Sequence, residues 1–155
     1  MSTPSDPASQ PDIEVLSFRL DDQEYCLDIA HVREIRGWTR ATPLPHAPPH
    51  LKGVINMRGT VLPVIDLGLR LGGPPVEPDE HKVIVVVSLG KLTAGLLVDA
   101  VSDILTAAPD QIQPAPEYGI DPSDSCLKAL LMIEGKLIRI LDLGAVLPPA
   151  AGAAA

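Results

Sequence analysis

The chain has 155 residues, a formal net charge of −8 and only one Trp, one Phe and two Tyr. That length holds one ordinary domain or two very small ones sharing a core. The acidity disfavours nucleic acid and anionic membrane surfaces, which both select a basic face, and the lack of aromatics leaves Val, Ile and Leu, good strand residues, to build the core. No apolar run approaches the length of a membrane span, and the start MSTPSDPASQPD lacks the apolar centre of a signal peptide. A soluble cytoplasmic protein is expected. Cys26 and Cys126 are too few for a disulfide framework and are expected as buried thiols.

Residues 1–12 and 148–155 are rich in Pro, Ser and Ala and carry no periodicity, so both are read as tails around an ordered domain at 13–147. IEVLSFRL (13–20) and EYCLDI (24–29) alternate as two strands, turning at Asp21-Asp22-Gln23. His31–Ile35 reads as one helical turn. TPLPHAPPH (42–50) excludes helix and central strand and becomes an extended connector. LKGVINMRGTVLPVIDLG (51–68) reads as two apolar strands, 51–57 and 60–66, folded back at Arg58-Gly59, where glycine supplies the positive φ of a tight hairpin. A short helix is expected after Asp66, followed by GGPPVEPDE (72–80), the expected hinge region (72–81) between halves. HKVIVVVSLG and KLTAGLLV then form a hairpin around Gly90-Lys91, with VVV apolar on both faces as in a fully buried strand.

The chain repeats itself. Residues 127–144, LKALLMIEGKLIRILDLG, match 51–68 at an offset of 76, with six of eighteen positions identical, including the Leu-Lys start and the Asp-Leu-Gly end. A second offset, 69, sets Leu89 on Leu20, Val98 on Ile29, Val101 on Val32, Asp103 on Glu34 and Ile104 on Ile35. Each half thus reads strand, strand, short turn, connector, hairpin, terminal helix. The expected fold is all-β: two small five-stranded barrels from an internal duplication, closed so that edges disappear, with short helical turns between strands.

Catalysis is not expected, since neither a nucleophile-elbow serine nor a phosphate-cradling glycine loop is present. Asp66 and Asp142 each follow a strand and precede a short apolar helix, which makes them N-caps rather than an acid/base pair. His46 and His50 stand four apart in a proline-rich connector without a third ligand, so neither metal nor cofactor is expected. Arg58 is the misfit: a hairpin tip of this kind asks for Asn, Asp or Gly, and an exposed guanidinium on a rigid turn suits a partner's carboxylate. Its repeat equivalent is Glu134, of opposite charge. Glu34, between Val32 and Ile35, sets one acid beside two apolar side chains.

The pieces HVREIRG (31–37), TPLPHAPPHLKGVINMRGTVLPVIDL (42–67), VIVVVSLG (83–90), GLLVDAVSDIL (95–105), QIQPAPEY (111–118) and KLIRILDL (136–143) occur in an order and spacing that resembles the CheW-type chemotaxis coupling proteins, over about residues 13–147. The resemblance implies a pair of SH3-like barrels and a non-enzymatic scaffold. Such an adaptor bridges the cytoplasmic tips of chemoreceptors to the regulatory domain of the histidine kinase CheA. Other CheW-like proteins are further implied partners, and the implied location is the cytoplasm, with recruitment to membrane-associated receptor arrays. Val32, Glu34, Ile35, Arg58, Val83 and Ile104 match positions of the family's receptor-binding groove, while Gln113 and Tyr118 match its kinase or array contact. The chain departs from the pattern at His50, where an aromatic or large apolar residue is usual, at Ala129, where glycine is, and at Gln113, where a basic residue is common. The rival readings are an adaptor of another chemosensory-type system, such as one serving pilus motility, and a small-barrel ligand binder or enzyme.

Overall fold

Residues 11–114 and 126–147 are described in the computed structural model of the chain, and strands dominate them. The first part contains β1 (Ile13–Leu20), β2 (Gln23–Asp28), a 3-10 turn (Ile29–His31), β3 (Val32–Gly37), β4 (Leu51–Met57), β5 (Thr60–Asp66) and helix α1 (Leu67–Arg70). After the connector come β6 (Val83–Leu89), β7 (Leu92–Val98), β8 (Ala100–Ala107), a 3-10 turn (Pro109–Gln111), β9 (Ile112–Pro114), β10 (Leu127–Ile133), β11 (Lys136–Leu141) and helix α2 (Leu143–Val146). The expected all-β class with two small sheets is the one observed. Two details differ. Where a helical turn was expected at 31–35, the 3-10 turn ends at His31 and the chain extends, because β-branched Val32 and Ile35 pair with Val87 and Val85 of β6. The three residues of β9 also bring one sheet to six strands rather than five.

The sheets run β8-β1-β2-β11-β10-β9 and β3-β6-β7-β5-β4. With the two repeat offsets applied, each sheet takes its first two strands from one repeat and the rest from the other. The halves in sequence are therefore not the halves in space. The exchange repeats down to the register. Val64 pairs with Gly95 where β5 runs parallel to β7, and the equivalent pair, Ile140 with Cys26, joins β11 to β2. Both hairpins carry a bulge at equivalent places, Leu51/Gly53 and Leu127/Ala129. Residues 72–81 join α1 to β6 and so link the first repeat to the second.

One core serves both sheets. Leu16, Phe18 and Leu27 of one sheet pack in the same buried cluster as Leu62, Val64, Ile84 and Leu96 of the other. Val15, on the opposite face of β1 from Leu16, points into a smaller cluster with Cys26, Ala107, Leu131 and Ile138. Being buried on both faces explains why β6 reads as an almost continuous apolar run. A guanidinium ties the repeats together at the ends: Arg70 of α1 donates to the carbonyls of Ala145 (2.6 Å) and Val146 (3.0 Å) in α2.

Asp66 and Asp142 cap α1 and α2, as their sequence setting demanded. Asp66 accepts from Leu69 N–H at 3.1 Å and Asp142 from Gly144 N–H at 3.1 Å. Asp66 does more, because it is fully buried and both its oxygens accept the Val76 N–H at 3.1 and 3.0 Å. That bond pins the connector as a strap across α1, with Val76 itself buried in the core.

Cys26 and Cys126 are buried thiols, as expected. Burial, with Glu24 adding repulsion, pushes the Cys26 thiol up from 9.0 to about 12. Above pH 9 the unfolded chain ionises this thiol while the folded chain keeps its proton, so stability falls as pH rises. The slope from this group approaches about 1.4 kcal/mol per pH unit between roughly pH 9 and 12, and vanishes below pH 9. Urea unfolding at pH 8, 9.5 and 10.5 should show Cys26→Ala losing that part of the alkaline slope; an unchanged slope would contradict the assignment.

Candidate functional site

The turn between β4 and β5 has two residues, since Met57 pairs with Thr60. Arg58 (φ 54°) and Gly59 (φ 83°) both take the left-handed conformation, as a type I′ hairpin turn requires. Asn56 Oδ1 accepts from Gly59 N–H at 2.9 Å and closes the turn. Arginine occupies this conformation reluctantly, whereas Asn or Gly would do so readily. The strain is local and the side chain is 79% exposed, so fold stability does not account for the choice. At Gly59 no atom lies within 4 Å of a would-be Cβ, so Gly59→Val adds conformational strain without a clash. A loss of about 1–2 kcal/mol is expected, seen as a lowered urea midpoint, and no loss would contradict the I′ geometry.

Arg58 reaches back across the sheet to Glu34 on β3, its Nη2 donating to Glu34 Oε2 at 2.7 Å. Arg36, two residues along β3, brings Nη1 to Glu34 Oε1 at 3.5 Å. One carboxylate thus stands between two guanidiniums on an edge strand. Ile35, the next residue along β3, is 47% exposed and points to the opposite face of the strand from Glu34 and Arg36. Val32 begins the same strand, and Val83 pairs with Gly37 at its far end. The structure therefore gathers Val32, Glu34, Ile35, Arg58 and Val83 on the five-stranded sheet. Ile104 lies elsewhere, on β8 of the six-stranded sheet, 53% exposed and at the repeat equivalent of Ile35.

Gln113 sits exposed on β9 and begins a row across three strands, opposite Leu130, which is itself opposite Arg139. The next pair on this outer face is Met132 with Leu137, 40% and 45% exposed. Arg139 also packs 5.6 Å over the Tyr25 ring. Tyr118 lies outside the described residues. His50 is half-buried; burial, then the Arg70 charge, hold its imidazole below its usual range against the opposing pull of Asp66.

The CheW-like domain profile matches residues 14–150. The chain belongs to the CheW-like family. Among its relatives, the chemotaxis protein CheW of Rhizobium meliloti (strain 1021) is 50% identical over 135 residues, covering 87% of each chain. The chemotaxis protein CheW of Klebsiella aerogenes is 36% identical, covering 84% of this chain and 78% of the relative. The crystal structure of the scaffolding protein TtCheW from Thermoanaerobacter tengcongensis superimposes with a TM-score of 0.79 at 29% identity, covering 86% of this chain and 90% of that one.

Two features of this CheW-like chain escaped sequence reasoning. Arg36 was legible, because a residue two positions from Glu34 on a strand shares its face, but only once 32–37 is a strand. The Met132–Leu137 pair had a signal as well. Leu130-Leu131-Met132-Ile133 is apolar on both faces, although its hairpin lies near the edge of a sheet where one face meets solvent. The equivalent positions in the first repeat are Asn56 and Val61, so the second hairpin carries the more apolar surface.

Proposed function

We propose that the chain is a non-enzymatic chemotaxis adaptor that couples the cytoplasmic tips of chemoreceptors to the histidine kinase CheA. The observation that carries this reading is the presence of two separate exposed surfaces on two different sheets. One is the β3 edge, which carries the Glu34–Arg58 pair on one face and the exposed Ile35 on the other. The other is the outer face of β9, β10 and β11, with Gln113, Leu130, Met132 and Leu137. An adaptor needs two such surfaces, and a rigid shared core keeps them at a fixed separation. Val32, Glu34, Ile35, Arg58 and Val83 receive the receptor, and Ile104 of β8 is a further receptor contact on the six-stranded sheet. Gln113, Tyr118 and the apolar row beside Gln113 meet the kinase's regulatory domain or another CheW-like protein. The protein acts in the cytoplasm and reaches the membrane only through the receptor; no helix among its described residues is long and apolar enough to cross a membrane.

Pull-down of the full chain with a receptor-tip fragment and with the regulatory domain of CheA tests this. Binding to both is expected. Adding the chain to receptor and kinase together should change the rate of kinase autophosphorylation, while the chain alone turns over no nucleotide. Binding to neither partner, or nucleotide turnover by the isolated chain, would overturn the reading.

A further inference from the structure

The fold itself does not ask for an arginine at position 36. The repeat equivalent is Leu105, half-buried and packed against the smaller core cluster, so the scaffold accepts an apolar side chain there. The equivalents of Glu34 and Arg58 are both acids, Asp103 and Glu134. Asp103 turns back on its own strand, its Oδ1 accepting from Ile104 N–H at 2.8 Å. Among the described residues, the carboxylate between two guanidiniums is thus a feature of the first repeat. Stability does not account for it either. With Arg36 33% and Glu34 29% exposed, a surface pair of this kind contributes little.

The geometry divides the carboxylate between the two cations. Glu34 Oε2 accepts from Arg58 Nη2 at 2.7 Å, while Arg36 Nη1 stands at Oε1, 3.5 Å away. An arginine left alone with a carboxylate closes a fork on it, two parallel N–H···O bonds that use both oxygens. That is the strongest form the pair takes. Arg58 makes only half of the fork. Its side chain is 79% exposed, so packing does not hold it back, and the obstacle is the second guanidinium at Oε1. Charge acts in the same direction. Two guanidiniums against one carboxylate leave this cluster positive in a chain of net charge −8, which favours approach of an acid.

We infer that Arg36 is a positioning residue for the partner contact of Arg58. By occupying Glu34 Oε1 it keeps the fork open, and the unused N–H donors of Arg58 are presented to a carboxylate of the receptor. Without Arg36, Glu34 takes Arg58 with both oxygens and the partner must compete for it. The inference rests on the adaptor reading for the identity of the partner, and on the ion-pair geometry for the state of the free guanidinium.

Arg36→Leu, the residue the other repeat uses, removes the donor and suits the strand, and two measurements on the full chain test it. The first is nitrogen NMR of the Arg58 guanidinium in the free chain, assigned by its absence from Arg58→Asn. One averaged Nη signal is expected in the wild type and two separate signals in Arg36→Leu, because a closed fork slows rotation about the Nε–Cζ bond. The second is titration with the receptor-tip fragment. Arg36→Leu should bind roughly fivefold more weakly, less than the loss expected for Arg58 itself. In a chain already carrying Glu34→Gln, the same change should alter binding by less than about twofold, since an amide has one oxygen and cannot receive a fork. A merely structural role for Arg36 would cost the same in both backgrounds. Averaged signals in Arg36→Leu, or equal losses with and without Glu34→Gln, would overturn the inference. A wild-type chain that does not bind the fragment would overturn the adaptor reading, and the partner role of Arg36 with it. The two failures are told apart because the first leaves wild-type binding intact.

Discussion

Arg58→Asp is expected to leave the protein folded and to lower its co-sedimentation with receptor and kinase about thirtyfold. The stability side follows from exposure. The Glu34 pair it removes is a surface ion pair, a type that contributes about 0–1 kcal/mol, and aspartate accepts the left-handed turn more readily than arginine. For a chain of this size the melting temperature should shift by no more than about 2–4 °C. The binding side follows from what the guanidinium can offer. Glu34 engages Nη2 alone, so the remaining donors of Arg58 face solvent. A partner carboxylate that took them would be desolvated with them, and loss of such a contact costs about 2 kcal/mol or more. Charge reversal adds repulsion, from Glu34 as well as from the partner. Arg58→Asn separates the two effects, because it suits the I′ turn better than arginine yet lacks the charge: stability should rise slightly while binding falls. If Arg58→Asp unfolds the chain, or co-sediments like the wild type, the turn is scaffold.

Gly53→Ala is expected to be the most damaging of the conservative changes, costing about 3 kcal/mol. Gly53 sits in the β4 bulge at φ 145°, and a Cβ there would overlap the Thr42 carbonyl oxygen. Thr42 cannot withdraw freely, since it exchanges two backbone bonds with Val54, at 2.8 and 2.9 Å. Losing both costs about 0.5–1.5 kcal/mol each, and the positive φ adds about 1–2 kcal/mol. The repeat equivalent, Ala129, has no positive φ, so the reciprocal Ala129→Gly should cost no more than about 1 kcal/mol, mainly through the freer unfolded chain. Urea unfolding of the two variants reads the contrast directly. Equal losses would mean that the bulges are interchangeable and the Thr42 contact unimportant.

Most of the fold was legible because its signals are local. Arg58-Gly59, Glu134-Gly135 and Gly90-Lys91 mark hairpin turns wherever they are met, and a shared Asp-Leu-Gly end identifies two copies of one unit. The exchange of strands between repeats was not legible. Offsets show which strands are equivalent, but a first strand can pair with the third strand of either copy in the same register. Connector length decides: three residues link β2 to β3 and one links β7 to β8, and both pairs of strands end up in different sheets. The helical turn expected at 31–35 failed for a related reason, since a β-branched segment takes its conformation from a partner strand found fifty residues later. At the candidate site, Arg58 stood out as a poor turn residue. Glu34 stood out less, because its partnership with Arg58 spans twenty-four residues and exists only once β3 lies beside the hairpin.

The interleaving of the repeats also governs how the chain can be made and divided. β2 waits for β11 across more than a hundred residues before its sheet is complete, so the six-stranded sheet closes only after almost the whole chain has left the ribosome. Such long-range parallel pairing is slow, and it binds the two sheets into a single cooperative unit. Cutting at the strap would therefore yield one fragment with two of the six strands of one sheet and three of the five of the other, and a second with the remaining four and two. Neither is a miniature barrel, and native structure is expected to return only when the two are mixed.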